Sequence, residues 1–313
     1  MSIAVIKPGV QTTIQAGPRT GFRHMGVPAN GAADSLSLAL ANKLAGNAWD
    51  AAALEATLLG PTLRFDCDCA FAVAGASVAL SLNGEACSPH ETLFAKSGDQ
   101  LVVGSMDVGA RTYVAVAGGL VAKELLGSVS TNLQAGFGGL EGRALQKGDT
   151  LECVPADAER LHTPDEFRPP MSSSWGLRAC AAVETGLLDD TSLRALFDTN
   201  WIVHRRADRM GLRLDGPVLG VSSVGRMPSA GVIPGTIQCP EDGIPYILSV
   251  DAGTVGGYPR IAQVARVDRH VLGQLRPGDH VRLLQRDPDE AVTELCGKLD
   301  YWREWLPDID TIL

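Results

Sequence analysis

ASVALSLNGEACS, residues 76–88, alternates apolar and small side chains through Val78, Leu80 and Leu82 and then meets Asn83-Gly84. A period of two places the three apolar side chains on one face of a strand. Asn-Gly is the pair a two-residue hairpin turn favours, because both central residues need positive φ. The stretch therefore predicts a β-hairpin. Similar short apolar runs recur at YVAVAG (113–118), YILSVD (246–251) and HVRLLQ (280–285). Glycine and proline supply 35 and 18 of the 313 residues, enough turns to separate many short strands. The chain reads as mainly β with a few peripheral helices.

Helix signals are sparse. Asp34 caps an expected helix over SLSLALANKLAG (35–46), with Leu36, Leu40 and Leu44 on one face. Leu193, Leu196 and Phe197 mark a shorter one. Asp287, Pro288 and Glu290 start a C-terminal helix whose stripe is Ala291, Val292, Leu295, Leu299 and Trp302. Residues 156–175, mixing charge, proline and serine without periodicity, read as a linker. It separates an N-terminal β domain, 1–155, from a C-terminal one, 176–290, followed by a helix and tail, 291–313. Gly98-Asp99, Gly148-Asp149 and Gly278-Asp279 each lead into a strand. Arg19-Thr20-Gly21-Phe22-Arg23 is echoed by Arg209-Met210-Gly211-Leu212-Arg213, so the halves look like a duplicated β-barrel.

A formal net charge of −9 opposes a nucleic-acid partner, which needs clustered Lys and Arg. No apolar run approaches the roughly 20 residues that cross a bilayer, and MSIAVIKPG lacks a basic region followed by an apolar core. A cytoplasmic protein with no membrane partner is expected. The seven cysteines, at 67, 69, 87, 153, 180, 239 and 296, contain no CxxC spacing, so no metal site is expected. Cys67 and Cys69 alternate as strand residues would and read as part of a small satellite core.

The sequence has no GxxxxGK[ST], HExxH or GxSxG motif, and GTVGG (253–257) lacks the GxGxxG spacing. Two glycine-rich polar segments remain, 8–34 and 229–264. In the first, Gln15, Arg19, Arg23, His24 and Asp34 can converge on an anion or stand as solvated loop residues. Arg19 has the planar fork that grips a carboxylate. In the second, Asp251, Thr254 and Tyr258 offer a proton acceptor, a hydroxyl and a phenol, or an aspartate-stabilised turn. Arg209 is an anchor for a carboxylate or an ion-pair partner of its neighbour Asp208. Gln238 lies in a strand-like run and needs amide partners if buried.

PGVQTTIQ (8–15), GFRHMGVPANGAAD (21–34), LEATLLGPTLRF (54–65), DRMGLRL (208–214), PGTIQCPEDGIPYIL (234–248), VGGYPRIAQV (255–264) and QLRPGDHVRLL (274–284) carry a family resemblance. Over roughly residues 3–285 the sequence resembles the biotin-dependent carboxyltransferase A/B-subunit family. That family is also described as allophanate hydrolase subunit 2, as KipA-like, and as the C subunit of 5-oxoprolinase. The resemblance implies two cyclophilin-like β-barrel domains and a KipI-like partner, the B subunit. With a LamB/YcsF-like A subunit, such a complex opens the lactam of 5-oxoproline to glutamate using ATP bound through the partners. Alternatively, the chain is the carboxyltransferase component of a biotin-dependent urea or amide carboxylase, with biotin on a separate carrier. A third alternative is a KipA-like regulator that binds a KipI-like partner. No covalently bound cofactor is implied, and the substrate is a small amide.

Both enzymatic reactions need donors aimed at an amide or ureido oxygen. The resemblance thus implies catalytic roles for Asp251, Tyr258 and Arg19. Substrate-binding roles fall to Gln15, His24, Arg209, Gln238, Thr254, Gly256 and Gly257. The family's usual loops read Gln-Asp-x-Gly-Arg and Asp-x-Gln-Thr-Thr-Gly-Gly-Tyr. Here Ala16 replaces the acid, Gly253 the glutamine and Val255 the second threonine.

Overall fold

The hairpin at 76–88 forms as its chemistry dictates. Asn83 and Gly84 take φ of 54° and 84°, and Leu82 faces Glu85 across the turn. A computed structural model describes residues 1–222 and 227–313, and its chain divides into two compact units. The first unit comprises Met1–Thr20, Asn30–Met171 and Trp305–Ile312; the second comprises Gly21–Ala29, Ser172–Glu304 and Leu313.

The first unit carries β1 (Ser2–Lys7), β2 (Gln11–Gln15), β3 (Ala53–Thr57), β4 (Thr62–Phe65), β5 (Cys69–Leu82), β6 (Glu85–Cys87), β7 (Thr92–Ala95), β8 (Gln100–Val116) and β9 (Thr150–Glu152). They form one sheet in the order β2-β3-β8-β4-β1-β9, with β5 branching from β8 and carrying β6 and β7. β8 is the spine, since its two ends pair with β4 and β3 while β5 runs along it. YVAVAG is the end of this long strand. Apolar faces from β1, β2, β4, β5 and β8 meet in a core where the Phe65 and Phe71 rings stack at 5.0 Å. Cys69 and Cys153 lie in that core with Cys67 against it, and burial pushes the Cys69 thiol up to about 12. α1 (Ser35–Leu44) starts at Asp34, whose carboxylate accepts from Ser37 N at 3.1 Å. Its burial extends beyond the expected face, to Ser37, Leu38, Ala39 and Asn42.

The supposed linker is largely a strap packed on this unit. Thr92 N donates to Leu161 O and Thr163 N to His90 O, each at 2.9 Å, and Phe167 is buried. His90, only 8% exposed beside Thr163, is held down to about 4 by burial, with the Arg168 charge adding to it. The unfolded chain protonates His90 near its ordinary value while the folded unit resists, so stability falls as pH drops from about 6.5 towards 4. At pH 5 we expect a loss of about 2 kcal/mol relative to pH 8 from this group. His90→Asn, which tolerates the left-handed φ of 64°, should shrink that pH difference in urea midpoints. An unchanged pH difference would rule His90 out as its source.

The second unit carries β10 (Ser174–Ala181), β11 (Asn200–Ala207), β12 (Gly211–Asp215), β13 (Ala230–Gly231), β14 (Thr236–Gln238), β15 (Tyr246–Leu248), β16 (Val255–Gly256), β17 (Arg260–Val264) and β18 (His280–Arg286). Seven of these close into a barrel, β10-β17-β14-β15-β12-β11-β18, and β13 and β16 form a separate ribbon. The parallel pairing of β10 with β18 completes the barrel. Inside it, Trp201 is fully buried and satisfies its indole N–H on Leu196 O at 3.0 Å. The expected YILSVD strand stops at Leu248. Its continuation bends so that Asp251 N reaches Arg209 O.

α2 (Asp190–Asp198) begins at the Asp189 cap, and α3 (Pro288–Trp302) at the Asp287–Glu290 capping box. The α3 stripe is shorter than its sequence period suggests. Val292 is 59% exposed, and burial is confined to Leu299 and Trp302. α4 (Ile309–Ile312) belongs to the first unit.

The three Gly-Asp turns are one device used three times. Gly98, Gly148 and Gly278 have φ of 94°, 91° and 92°, a region closed to most side chains. Each following aspartate accepts from the amide three residues back, of Lys96, Gln146 and Arg276. Each turn also exchanges two backbone bonds with a neighbouring residue, namely Phe65, Val5 and Val203.

Candidate functional site

The bend after β15 carries the second unit's candidate site. Asp251 is held by Arg209, whose Nε and Nη2 donate to its two oxygens at 2.7 and 2.9 Å. Both side chains are about 5% exposed or less, so the pair is a buried, bidentate anchor for the loop that follows. Asp208, the sequence neighbour, instead accepts from Met210 N and Gly211 N and shapes its own turn. Thr254 is nearly buried, and its carbonyl accepts from Val232 N at 3.1 Å. Gln238 Nε2 donates to Tyr258 O at 3.1 Å, and the same amide lies against Gly256, where a Cβ would meet it at 2.5 Å. Glycine at 256 therefore lets the strand ribbon approach the Gln238 side chain. Gly257 adjoins Ser229. The Tyr258 ring is half exposed.

Two sequence candidates lie in the first unit. Arg19 is fully buried under the 125–130 loop, with Phe137 stacked on its guanidinium at 4.8 Å. Nε donates to Leu125 O and Nη1 to Asn30 Oδ1, both at 2.7 Å, while Nη2 reaches Ser128 O and Ser130 O at 3.1 Å. These bonds make Arg19 the staple of two loops. Gln15, also fully buried, donates to Thr13 Oγ1 and Thr131 O, and its own Oε1 is sealed without a partner. His24 belongs to the second unit and is exposed on the short turn Arg23–Met25.

The structure thus brings Arg209 to Asp251, and Gln238 to Gly256 and Tyr258, within the second unit, with Thr254 and Gly257 on the connecting segment. Chemically, these residues offer the hydroxyls of Thr254 and Tyr258 and a charge-neutralised Arg209–Asp251 pair. Sequence reasoning passed over a second polar centre in the first unit. Glu55 accepts from Ala33 N at 2.9 Å and from Tyr113 OH at 2.8 Å, and pairs with Arg111. Tyr113 OH also accepts from Asp34 N, and burial raises that phenol well above its ordinary range. A single carboxylate within the apolar run Leu54-Glu55-Ala56 was the available signal. Among the described residues no group of three or more His, Cys, Asp or Glu is arranged to hold a metal. No described helix is long and apolar enough to cross a membrane.

A closed barrel and a branched β-sheet unit, both mainly antiparallel, place the molecule among the carboxyltransferase-type domains. The chain belongs to the family described as carboxyltransferase domain, subdomain A and B, whose model matches residues 25–285. It is 36% identical over 304 residues to the C subunit of 5-oxoprolinase from Escherichia coli, covering 96% of this chain and 97% of that one. The corresponding C subunit from Haemophilus influenzae is 34% identical over 282 residues, 90% of each chain. The crystal structure of the Kluyveromyces lactis urea carboxylase matches 100% of this chain with a TM-score of 0.91 and 30% identity, over 29% of that longer chain.

Proposed function

We propose that the chain is the C subunit of a heteromeric, ATP-dependent 5-oxoprolinase that converts 5-oxoproline to glutamate. The observation that carries this reading is the near end-to-end match to a separate subunit of that enzyme, 96% of this chain against 97% of the other. Against the urea carboxylase it corresponds to one segment of a much longer chain. In this reading the B and A subunits, KipI-like and LamB/YcsF-like respectively, complete the enzyme, with ATP bound through them. A cytoplasmic location, where ATP is available, follows.

Opening a lactam requires polarising its carbonyl oxygen, and Thr254 and Tyr258 supply donors for it. The same donors suit the ureido oxygen of biotin. The full-length fold match to urea carboxylase therefore supports a second reading, a carboxyltransferase component served by biotin on a separate carrier. A KipA-like regulatory role would keep the partner and dispense with turnover.

Co-expression with candidate A and B subunits, followed by an ATP-dependent glutamate-release assay on 5-oxoproline, tests the proposal. Glutamate release that requires this chain is the expected result. A stable complex that releases none overturns it; transfer from carboxybiotin to urea by the same preparation would establish the second reading.

A further inference from the structure

Three arginines reach the loops of the second unit's site, and two of them are matched by acids. Arg209 is held by Asp251. Arg260 donates Nε and Nη2 to Glu184 at 2.7 Å each, and Nη1 to Gly231 O at 3.1 Å. The third is Arg23, on the Gly21–Ala29 segment of the same unit. Its Nη2 donates to Val232 O, one residue along from the carbonyl that Arg260 holds. No acidic group pairs with it among the described residues, and its Nη1 is buried without an acceptor.

A guanidinium keeps its charge at any ordinary pH, so a partly buried one without an acid is a cost the fold leaves open. Burial lowers the Arg23 pKa, and no nearby acid offsets this. Val232 fixes where the charge lies, because its carbonyl accepts from Arg23 while its amide donates to Thr254 O. One residue therefore separates the Arg23 guanidinium from Thr254. The hydroxyls of Thr254 and Tyr258 have no hydrogen-bond partner among the described residues. An uncompensated cation linked through Val232 to the Thr254 backbone, on a loop that also carries the uncommitted Thr254 and Tyr258 hydroxyls, matches an acid that carries a carbonyl close to its carboxylate.

We propose that Arg23 is the anion subsite of the second unit, taking the carboxylate of a small lactam or amide acid while Thr254 and Tyr258 face its carbonyl. Identifying that acid as 5-oxoproline rests on the function proposed above. The subsite alone does not separate the two enzymatic readings, since the carboxylate of carboxybiotin or of a carboxylated urea fits it as well; the ligand series below does. Arg19 and Arg209, the carboxylate grips suggested by the sequence, already serve the protein's own acceptors.

The test is calorimetric titration of the full chain with 5-oxoproline, with its neutral analogue 2-pyrrolidinone, and with cyclopentanecarboxylate and free biotin as other carboxylates. Arg23→Ala should weaken 5-oxoproline binding about 10- to 100-fold and leave 2-pyrrolidinone unchanged. Arg23→Gln, which can still donate to Val232 O, should show the same selectivity and decides the matter if the alanine variant unfolds. Equal loss for the charged and neutral lactams, or no loss for either, overturns the subsite, as does a wild-type chain that binds no carboxylate. If the wild type binds cyclopentanecarboxylate or biotin but not 5-oxoproline, and Arg23→Gln abolishes that binding, the subsite stands and the 5-oxoproline assignment falls.

Discussion

Asp251→Asn is expected to destabilise the second unit by about 3–5 kcal/mol, the cost of leaving a buried charge without its partner. The side chains of Arg209 and Asp251 are 4% and 5% exposed, and both aspartate oxygens are committed to the guanidinium. An asparagine there would retain one acceptor and turn a donor towards Arg209. The double variant Arg209→Met, Asp251→Leu should recover much of the loss, because an apolar pair of similar volume needs no desolvated charge. Urea unfolding combined with hydrogen exchange over 208–215 and 246–251 would measure both. If Asp251→Asn unfolds like the wild type yet abolishes turnover, the aspartate is the proton-transfer group that its strand-end position first suggested.

A loss of similar size, about 4 kcal/mol or more, is expected from Arg19→Ala in the first unit. The substitution removes four charge-assisted bonds, to three backbone carbonyls and Asn30, each worth about 1.5–3 kcal/mol, while Leu125 O and Ser128 O keep backbone donors from each other's amides. Arg19→Lys should rescue little, because a single ammonium cannot serve acceptors spread around a planar fork. Hydrogen exchange should rise first in 125–131. Should Arg19→Ala melt normally and lose only substrate affinity, its role would be recognition rather than architecture.

Features set by neighbouring residues were legible in the sequence. Asn83-Gly84 required its turn, Asp34 its cap, and the Gly-Asp pairs their repeated bend, because each depends on bonds closed within three or four residues. Partnerships across the chain were not. Arg19 finds Leu125 across 106 positions, and no periodicity records such a contact. Arg209 illustrates the same limit, since Asp208 is adjacent in sequence but its carboxylate turns back to cap Met210 and Gly211. The strap at 156–171 looked like a linker because its order comes from bonds to the edge of another strand, not from its own pattern. Within the site, the loop residues 251–258 were recognisable from composition. Arg23 was visible in the polar segment 8–34, but its value emerged only once the other arginines were seen to be matched.

The return of Trp305–Ile312 to the first unit has a consequence for biosynthesis. Lys43 sits 4.6 Å above the Trp305 ring, and Leu306, Ile309 and Ile312 are buried in a unit that otherwise closes at Met171. A ribosome delivers those residues only after Ser172–Glu304 of the second unit has been translated. The earlier-made half therefore waits, incompletely covered, for residues 305–312, whereas the early segment the later-made half uses, Gly21–Ala29, is already in hand. Vectorial synthesis thus leaves the first-encoded unit unfinished until nearly all of the second has been made.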